Sequence, residues 1–359
     1  MEGEVCATDI DYPGAFTSVP NLFHTGPGTS AHTLRRHDLI LMPEIICAGE
    51  AVIDLFAPTG SSLKDADRFS RAAGGGPANT SVCLARLGRE VGLIGRVGAD
   101  SFGEYLIELI SSQGVETTHL RTLEGHFTTT ALIASPTPEQ QDFTIYRGAD
   151  NELLSEHLDE SYIATASLLC YGSPIFTGNS YQAGLDIVAM ARRSGALISF
   201  DANLRPRLWS SMEAATTGIM EGVRTCDICK LNEVELEFLS GIKDPEEGLG
   251  WVLEQGPTLS AITLGGDGVY FGNVQARGHL PAFEVDEVDT TGCGDAFVAG
   301  LSAGVCDALR DGQTPALCTA EKLHEIFRFA NAVGALAATA TGAMTALPTL
   351  KQVEDFLRK

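Results

Sequence analysis

The chain has 359 residues, 44% hydrophobic and 20% charged, the balance of a water-soluble globular protein with material for one large domain or two ordinary ones. Its 47 acidic against 24 basic residues give a formal net charge of -23, which argues against a nucleic acid or an anionic membrane held by a basic patch. No apolar run approaches the roughly 18 residues of a membrane span, and the start "MEGEVCATDIDYPGAF" lacks the basic and apolar segments of a secretory signal, so a cytoplasmic location is expected.

Residues 1–43 mix Gly, Pro, Thr, Ser and His without helical or strand period and read as a loop or flexible extension, leaving 44–359 as the folded domain. "EIICAGEAVIDLF" reads as one buried strand with Glu50 and Asp54 at its C-terminal end. "PANTSVCLARLG" follows as a helix stopped by Gly88, and "EVGLIGRVG" as a strand. The alternation continues through helix "FGEYLIELISSQG", strand "ASLLCYGS", helix "YQAGLDIVAMARRSG", strand "ALISFDAN", a helix over 211–223, strand "DICKLN" and helix "EVELEFLSG". Strands "SAITLGGDGVYF" and "FEVDEV" come next, then helices over 295–309 and 321–340. Such units predict a mostly parallel sheet covered on both faces. "TTTALIAS" and "QDFTIYRG" break the pattern, two strands with no helix between them, and predict a small antiparallel flap. The nine cysteines follow no framework spacing, and the lone pair Cys226 and Cys229 reads as a buried strand edge rather than half of a metal site.

Ligands of open parallel sheets sit beyond the carboxyl ends of the strands. The polar ends "GEAVID", "DANLR", "KLNEVE" and "TLGGDG" are therefore candidates, each with strand-end capping as its bland alternative. The stretch "VDTTGCGDAFVAG" is more pointed. A strand leaving at Val288 and a helix entered at Asp295 put Gly292, Cys293 and Gly294 at a helix N-terminus, where free N–H groups and the helix dipole favour an anion. Asp295 would compete with that anion unless it accepts a proton from a group attacking it, the requirement of phosphoryl transfer to an alcohol. The dipole is expected to keep Asp295 ionised. Plain capping by Asp295 is the alternative.

This stretch resembles the C-terminal signature D-T-x-G-A-G-D of the ribokinase-like (PfkB) carbohydrate kinases. "GGPANTS", six residues to Gly88 and nine more to Gly98 resemble that family's first signature, and the resemblance runs from about residue 44 to the end. It implies a ribokinase-like three-layer α/β/α domain with a mostly parallel central sheet and a small β-sheet lid, its lid strands at about 54–70 and 125–148. It implies an ATP- and Mg2+-dependent sugar kinase with Asp295 as base and Gly292, Cys293 and Gly294 as anion hole. Asp54, Gly75, Gly76 and Asn79 would bind sugar hydroxyls, and Arg147 either a sugar hydroxyl or a sugar-acid carboxylate; Arg205 would reach the transferred phosphate. Asn232 and Glu235 match an N-x-x-E motif tied to phosphate and hydrated Mg2+. Thr263, Gly265, Gly266, Gly268 and Gly294 would line the nucleotide with Asn331 by the adenine, and Asp289, Thr291, Ala337, Ala340 and Gly342 would form a monovalent-cation (K+) loop. The one departure is Cys293 in place of alanine, a thiol whose position at a helix N-terminus predicts a depressed pKa and sensitivity to oxidation.

The acceptor stays open. "GEAVID", "GGGPAN", "FTIYRGAD" and "DANLRPRLW" resemble fructokinases, while 2-keto-3-deoxygluconate kinases share the last two; fructose is favoured. A nucleoside kinase and an inactive sugar-binding relative are the other readings, and exposed lid edges predict a homodimer.

Overall fold

The computed structural model describes residues 42–137 and 140–358; the expected extension over 1–43 falls almost wholly outside them. Element by element the chain runs β1 (Ile45–Ala48), β2 (Val52–Phe56), β3 (Ser70–Gly74), α1 (Gly76–Arg86), β4 (Val91–Gly98), α2 (Ser101–Ser112) and β5 (Leu120–Leu123). β6 (Thr130–Thr137), β7 (Gln140–Tyr146), α3 (Glu160–Ile163), β8 (Leu168–Gly172), α4 (Tyr181–Ser194), β9 (Leu197–Asp201) and α5 (Met212–Thr225) follow. The last third holds β10 (Ile228–Asn232), α6 (Glu233–Ser240), α7 (Pro245–Glu254), β11 (Leu259–Thr263), β12 (Val269–Asn273) and β13 (Arg277–Leu280). It closes with α8 (Cys293–Arg310), α9 (Ala320–Ala337), α10 (Ala343–Ala346) and α11 (Leu350–Leu357).

Nine strands form one sheet in the order β13-β12-β11-β10-β9-β8-β1-β4-β5. All neighbours from β11 to β5 are parallel, and β12 and β13 add an antiparallel edge. Its central strands are mainly apolar because both faces are covered, whereas the edge strands β5 and β13 carry exposed polar residues. Val82, Leu93, Ala299, Leu301, Phe327 and Val333 are buried in the core on one face, and Ile46, Ile187, Ile198, Ile219, Leu231 and Leu236 in that on the other. The second sheet, β3-β2-β6-β7, is the small lid. Cys226 and Cys229 are buried and unpaired, consistent with the strand-edge reading.

Two expectations change. "EIICAGEAVIDLF" is two strands in two sheets, parted at Gly49 (φ 139°), where a Cβ would stand 2.7 Å from Pro77 Cγ. Only glycine holds that conformation with so close a neighbour, so the run breaks there and crosses into the lid. "FEVDEV" pairs with no strand; the edge strand is Arg277–Leu280, and Phe283 and Val285 instead wall a cleft. Among the described residues no helix is long and apolar enough to cross a membrane.

Candidate active site

The turn before α8 is held from several sides. Val288 and Asp289 N–H donate to the Ala338 carbonyl at 2.8 and 3.2 Å. Asp289 Oδ1 accepts from Thr291 N (2.9 Å) and Oγ1 (2.6 Å), and Oδ2 accepts from Gly342 N (2.8 Å), which draws three residues of the expected cation loop together. Ala337 ends α9, and Ala340 lies in the turn that follows. Gly292 then takes a left-handed φ of 81° as the residue before α8.

The anion-hole expectation is corrected in one member. Cys293 N–H already donates to Thr290 O at 3.2 Å. Gly292, Gly294 and Asp295 N–H have no protein acceptor among the described residues, as the first turn of a helix dictates. The Cys293 thiol is corrected as well: burial, then Asp289, Glu287 and Asp295, push it up to about 11, so no reactive thiolate forms despite the helix end.

Asp295 Oδ2 accepts a 2.8 Å hydrogen bond from Asn79 Nδ2. Burial raises its carboxyl to about 6, against the lowering by Asn79, Arg205 and Lys230, so desolvation outweighs the expected dipole effect. Asp54, on the lid strand β2, is raised to about 6 by burial. Glu50, between β1 and β2, is raised to about 7 by burial while its Oε1 accepts from Gly76 N at 3.1 Å. Lys230 Nζ pairs with Asp201 Oδ1 at 3.0 Å; burial disfavours its charge, yet Asp201, Glu235 and Asp295 hold the ammonium above the usual lysine range.

Two clefts meet at this turn. One, of about 430 Å3, is lined by the predicted nucleotide residues Thr263, Gly265, Gly266, Gly268 and Asn331, and by Cys293 and Gly294 of the turn. The other, of about 500 Å3, is lined by the predicted sugar residues Asp54, Gly75, Gly76 and Asn79, with Arg205, Gly292 and Asp295. Arg205 is exposed and, among the described residues, ion-paired to no carboxylate.

Three predicted residues go elsewhere. Arg147 is absent from the sugar cleft's lining: Nε donates to Asp150 Oδ2 (2.9 Å), Nη1 to Thr177 Oγ1 and Nη2 to the Pro174 carbonyl (3.2 Å). Asn232 and Glu235 form a capping box at the start of α6, and neither lines a cleft. The Glu235 carboxylate is 3% exposed, and each of its oxygens accepts one backbone bond, from Leu204 N (2.9 Å) and Asn232 N (2.8 Å), so it is held within the fold rather than on a cleft wall. Sequence reasoning placed Glu50, Asp201 and Lys230 in candidate strand ends but gave none of them a role. The signal for the last was a lysine in the middle of the apolar strand "DICKLN", a place where an unpaired ammonium would be costly.

A large α/β sheet with a small lid over its strand ends, and two clefts joined at a helix N-terminus, define the ribokinase-like class. Residues 42–350 match the family described as pfkB family carbohydrate kinase, and the chain belongs to it. It is 37% identical over 317 residues to fructokinase-1 of Oryza sativa subsp. japonica, covering 86% of this chain and 96% of that protein. Among solved structures it is similar to a fructokinase from Xylella fastidiosa with bound ATP (TM-score 0.77, 31% identity, 88% of this chain and 98% of that one). A double mutant of fructokinase from Vibrio cholerae O395, in a form with fructose, ADP and potassium ion bound, gives a TM-score of 0.76 at 30% identity over 88% and 98% of the two chains. The protein is thus a carbohydrate kinase, a sugar phosphotransferase.

Proposed function

We propose that the protein transfers the γ-phosphoryl group of Mg-ATP to the primary hydroxyl of fructose, giving fructose 6-phosphate. The observation that carries this reading is the shared wall: Thr290, Cys293 and Gly294 face one cleft, and Thr291, Gly292 and Asp295 the other. A phosphoryl group passing from one to the other crosses the free N–H groups of Gly292 and Gly294, with Asp295 on the acceptor side. The curated fructokinase relative and the fructose-bound structural neighbour favour fructose over 2-keto-3-deoxygluconate.

The first cleft suits a nucleotide. Gly265 and Gly266 meet nothing within 4 Å of an added Cβ, so backbone there is open to a flat base or phosphate, and Asn331 Nδ2 already holds Pro281 O across the cleft. Among the described residues no three or more His, Cys, Asp or Glu side chains gather into a metal cage, so Mg2+ is expected to enter on the triphosphate. Bound there, it supplies charge neutralisation on the phosphates. In the second cleft Asp54 and Asn79 orient vicinal hydroxyls, Asp295 takes the proton of the attacking primary hydroxyl, and Arg205 stabilises charge on the transferred group. Lys230, 3.5 Å from a Cβ at Gly294, adds positive potential beneath the anion hole. The loop drawn together by Asp289, Thr291 and Gly342 is the proposed K+ site. The eight described cysteines are all unpaired, which supports a reducing, cytoplasmic setting, and the exposed Tyr146 on edge strand β7 supports pairing of lids in a homodimer.

ATP consumption measured with fructose, 2-keto-3-deoxygluconate, ribose and adenosine tests this. Fructose should give the highest kcat/KM, and Asp295→Asn should lower kcat by roughly 10²–10⁴ while still binding ATP. If no acceptor supports turnover, the protein is a sugar-binding relative and this reading is wrong.

A further inference from the structure

We propose that Asp150 sets acceptor specificity by withdrawing Arg147 from the sugar cleft, so that the cleft accepts a neutral ketose and refuses a sugar bearing a carboxylate. The inference rests on the kinase reading and names the acceptor class within it.

Phe143 and Ile145 reach the sugar cleft from β7, and residue 147, the first past the strand, continues their alternation of half-buried with exposed positions. An arginine there would offer a fork matched to a carboxylate. Instead it turns down behind the wall: Pro174, whose carbonyl accepts from Nη2, itself lines the cleft. Nε, Nη1 and Nη2 are each engaged within the protein. The anchor is firm, because the side chain of Asp150 is 5% exposed and its second oxygen accepts from the Thr129 hydroxyl. Thr129 Oγ1 in turn accepts from Gly148 N at 2.7 Å, which fixes the chain between Arg147 and Asp150.

The withdrawal leaves the cleft with a one-sided interior. Its lining carries three carboxyl groups, Glu50, Asp54 and Asp295, and two cations, Arg205 and Arg207, both exposed at the rim. Arg207 leans over the ring of Phe143, another lining residue, at 5.3 Å. Hydroxyls satisfy carboxyl acceptors without a counter-ion, whereas an acceptor carboxylate beside them would find cations only at the rim. The Arg147 charge still reaches Glu50, whose carboxyl it lowers against the larger rise from burial, so the guanidinium stands one layer behind the surface the sugar touches.

The test compares wild type, Asp150→Ala, Asp150→Asn and the double variant Asp150→Ala with Arg147→Ala. Calorimetry reads binding of fructose and of 2-keto-3-deoxygluconate, and a coupled assay reads turnover of each; melting temperature and Mg-ATP binding establish that each variant is folded. Wild type should bind fructose at least about tenfold more tightly than the sugar acid. Asp150→Ala, by removing the carboxylate that holds Nε, should gain about tenfold or more in affinity for the acid, the worth of one charge-assisted hydrogen bond; Asp150→Asn, whose amide oxygen can still accept from Nε, should gain less, and the double variant should lose the gain. Wild type binding both sugars equally, or a folded Asp150→Ala with no gain for the acid, overturns the proposal. Absence of turnover with every acceptor counts against the kinase reading instead, since binding is read without it.

Discussion

Asp295 answers two opposed demands. Catalysis needs it ionised, and burial raises its carboxyl to about 6, still below neutral pH. The proposed role therefore predicts that kcat/KM for the acceptor falls as the pH drops through about 6, where the base becomes protonated. The same shift has a sign for stability. A folded pKa above the unfolded value of 3.8 means that the folded state holds the proton more tightly, so stability is lost as pH rises through about 6. At pH 7.5 the carboxylate opposes folding, and Asp295→Asn should raise the melting temperature of the ligand-free protein by a few degrees while removing activity. Two glycines of the same turn separate fold from function. Gly292 has φ 81° and a Cβ there would stand 3.2 Å from Ala343, so Gly292→Ala should cost about 1–3 kcal/mol in urea denaturation. A Cβ at Gly294 meets only Lys230 Nζ at 3.5 Å, so Gly294→Ala should melt like wild type yet raise KM for ATP, because Gly294 lines the nucleotide cleft and an added methyl group narrows it.

At the scale of elements, what the sequence disclosed depended on periodicity. Apolar runs such as "ASLLCYGS" and helical spacing in "YQAGLDIVAMARRSG" placed β8 and α4 because packing alone determines those segments. The run through Gly49 concealed a change of sheet, since apolar residues continue on both sides while only the backbone angle marks the break. "FEVDEV" alternates like a strand in sequence, yet Phe283, Glu284, Val285 and Glu287 all line a cleft, so its apolar residues serve a cleft wall rather than a sheet face. Clusters at strand ends were legible as site residues; their partners were not. Nothing local reveals that Arg147 is tied to Asp150, Thr177 and Pro174, because that depends on which hydrogen bonds close in space, whereas the capping box of Asn232 and Glu235 was open to reading from their three-residue spacing. One long-range clamp carries a prediction. Asp100 caps α2 through Phe102 N (3.1 Å) and Gly103 N (2.9 Å) and also accepts from Thr128 N and Oγ1, both at 2.7 Å, so it fastens the end of β4 to the chain entering lid strand β6. Asp100→Ala should cost about 2–3 kcal/mol in urea denaturation, more than a helix cap alone. Burial favours the neutral form, but these donors hold the Asp100 carboxyl below its usual range. Its stabilisation is therefore present above the ordinary aspartate pKa and is lost as pH falls through the depressed one.

For the molecule as a whole, the net charge of -23 and the buried carboxyl groups of the site both oppose folding above neutral pH, by mechanisms that salt distinguishes. Self-repulsion acts through solvent and is screened within a Debye length of about 10 Å at 0.1 M salt and about 3 Å at 1 M. Desolvation of Glu50 acts inside the protein and is not. Glu50, at about 7 folded against 4.5 unfolded, contributes stability that is complete below 4.5 and lost as pH rises through about 7. His119 and His157 run the other way: burial holds them below 6.5, so they add stability as pH rises, and that gain is complete by about 6.5. The ligand-free protein at pH 8 should then melt higher in 0.5 M than in 0.02 M NaCl. A fall in melting temperature between pH 6.5 and 8 should persist at the higher salt, and Glu50→Gln, whose amide oxygen can still accept from Gly76 N, should flatten it. A slope that vanishes in salt would assign the pH dependence to surface repulsion, and an unchanged slope in Glu50→Gln would assign it to another group.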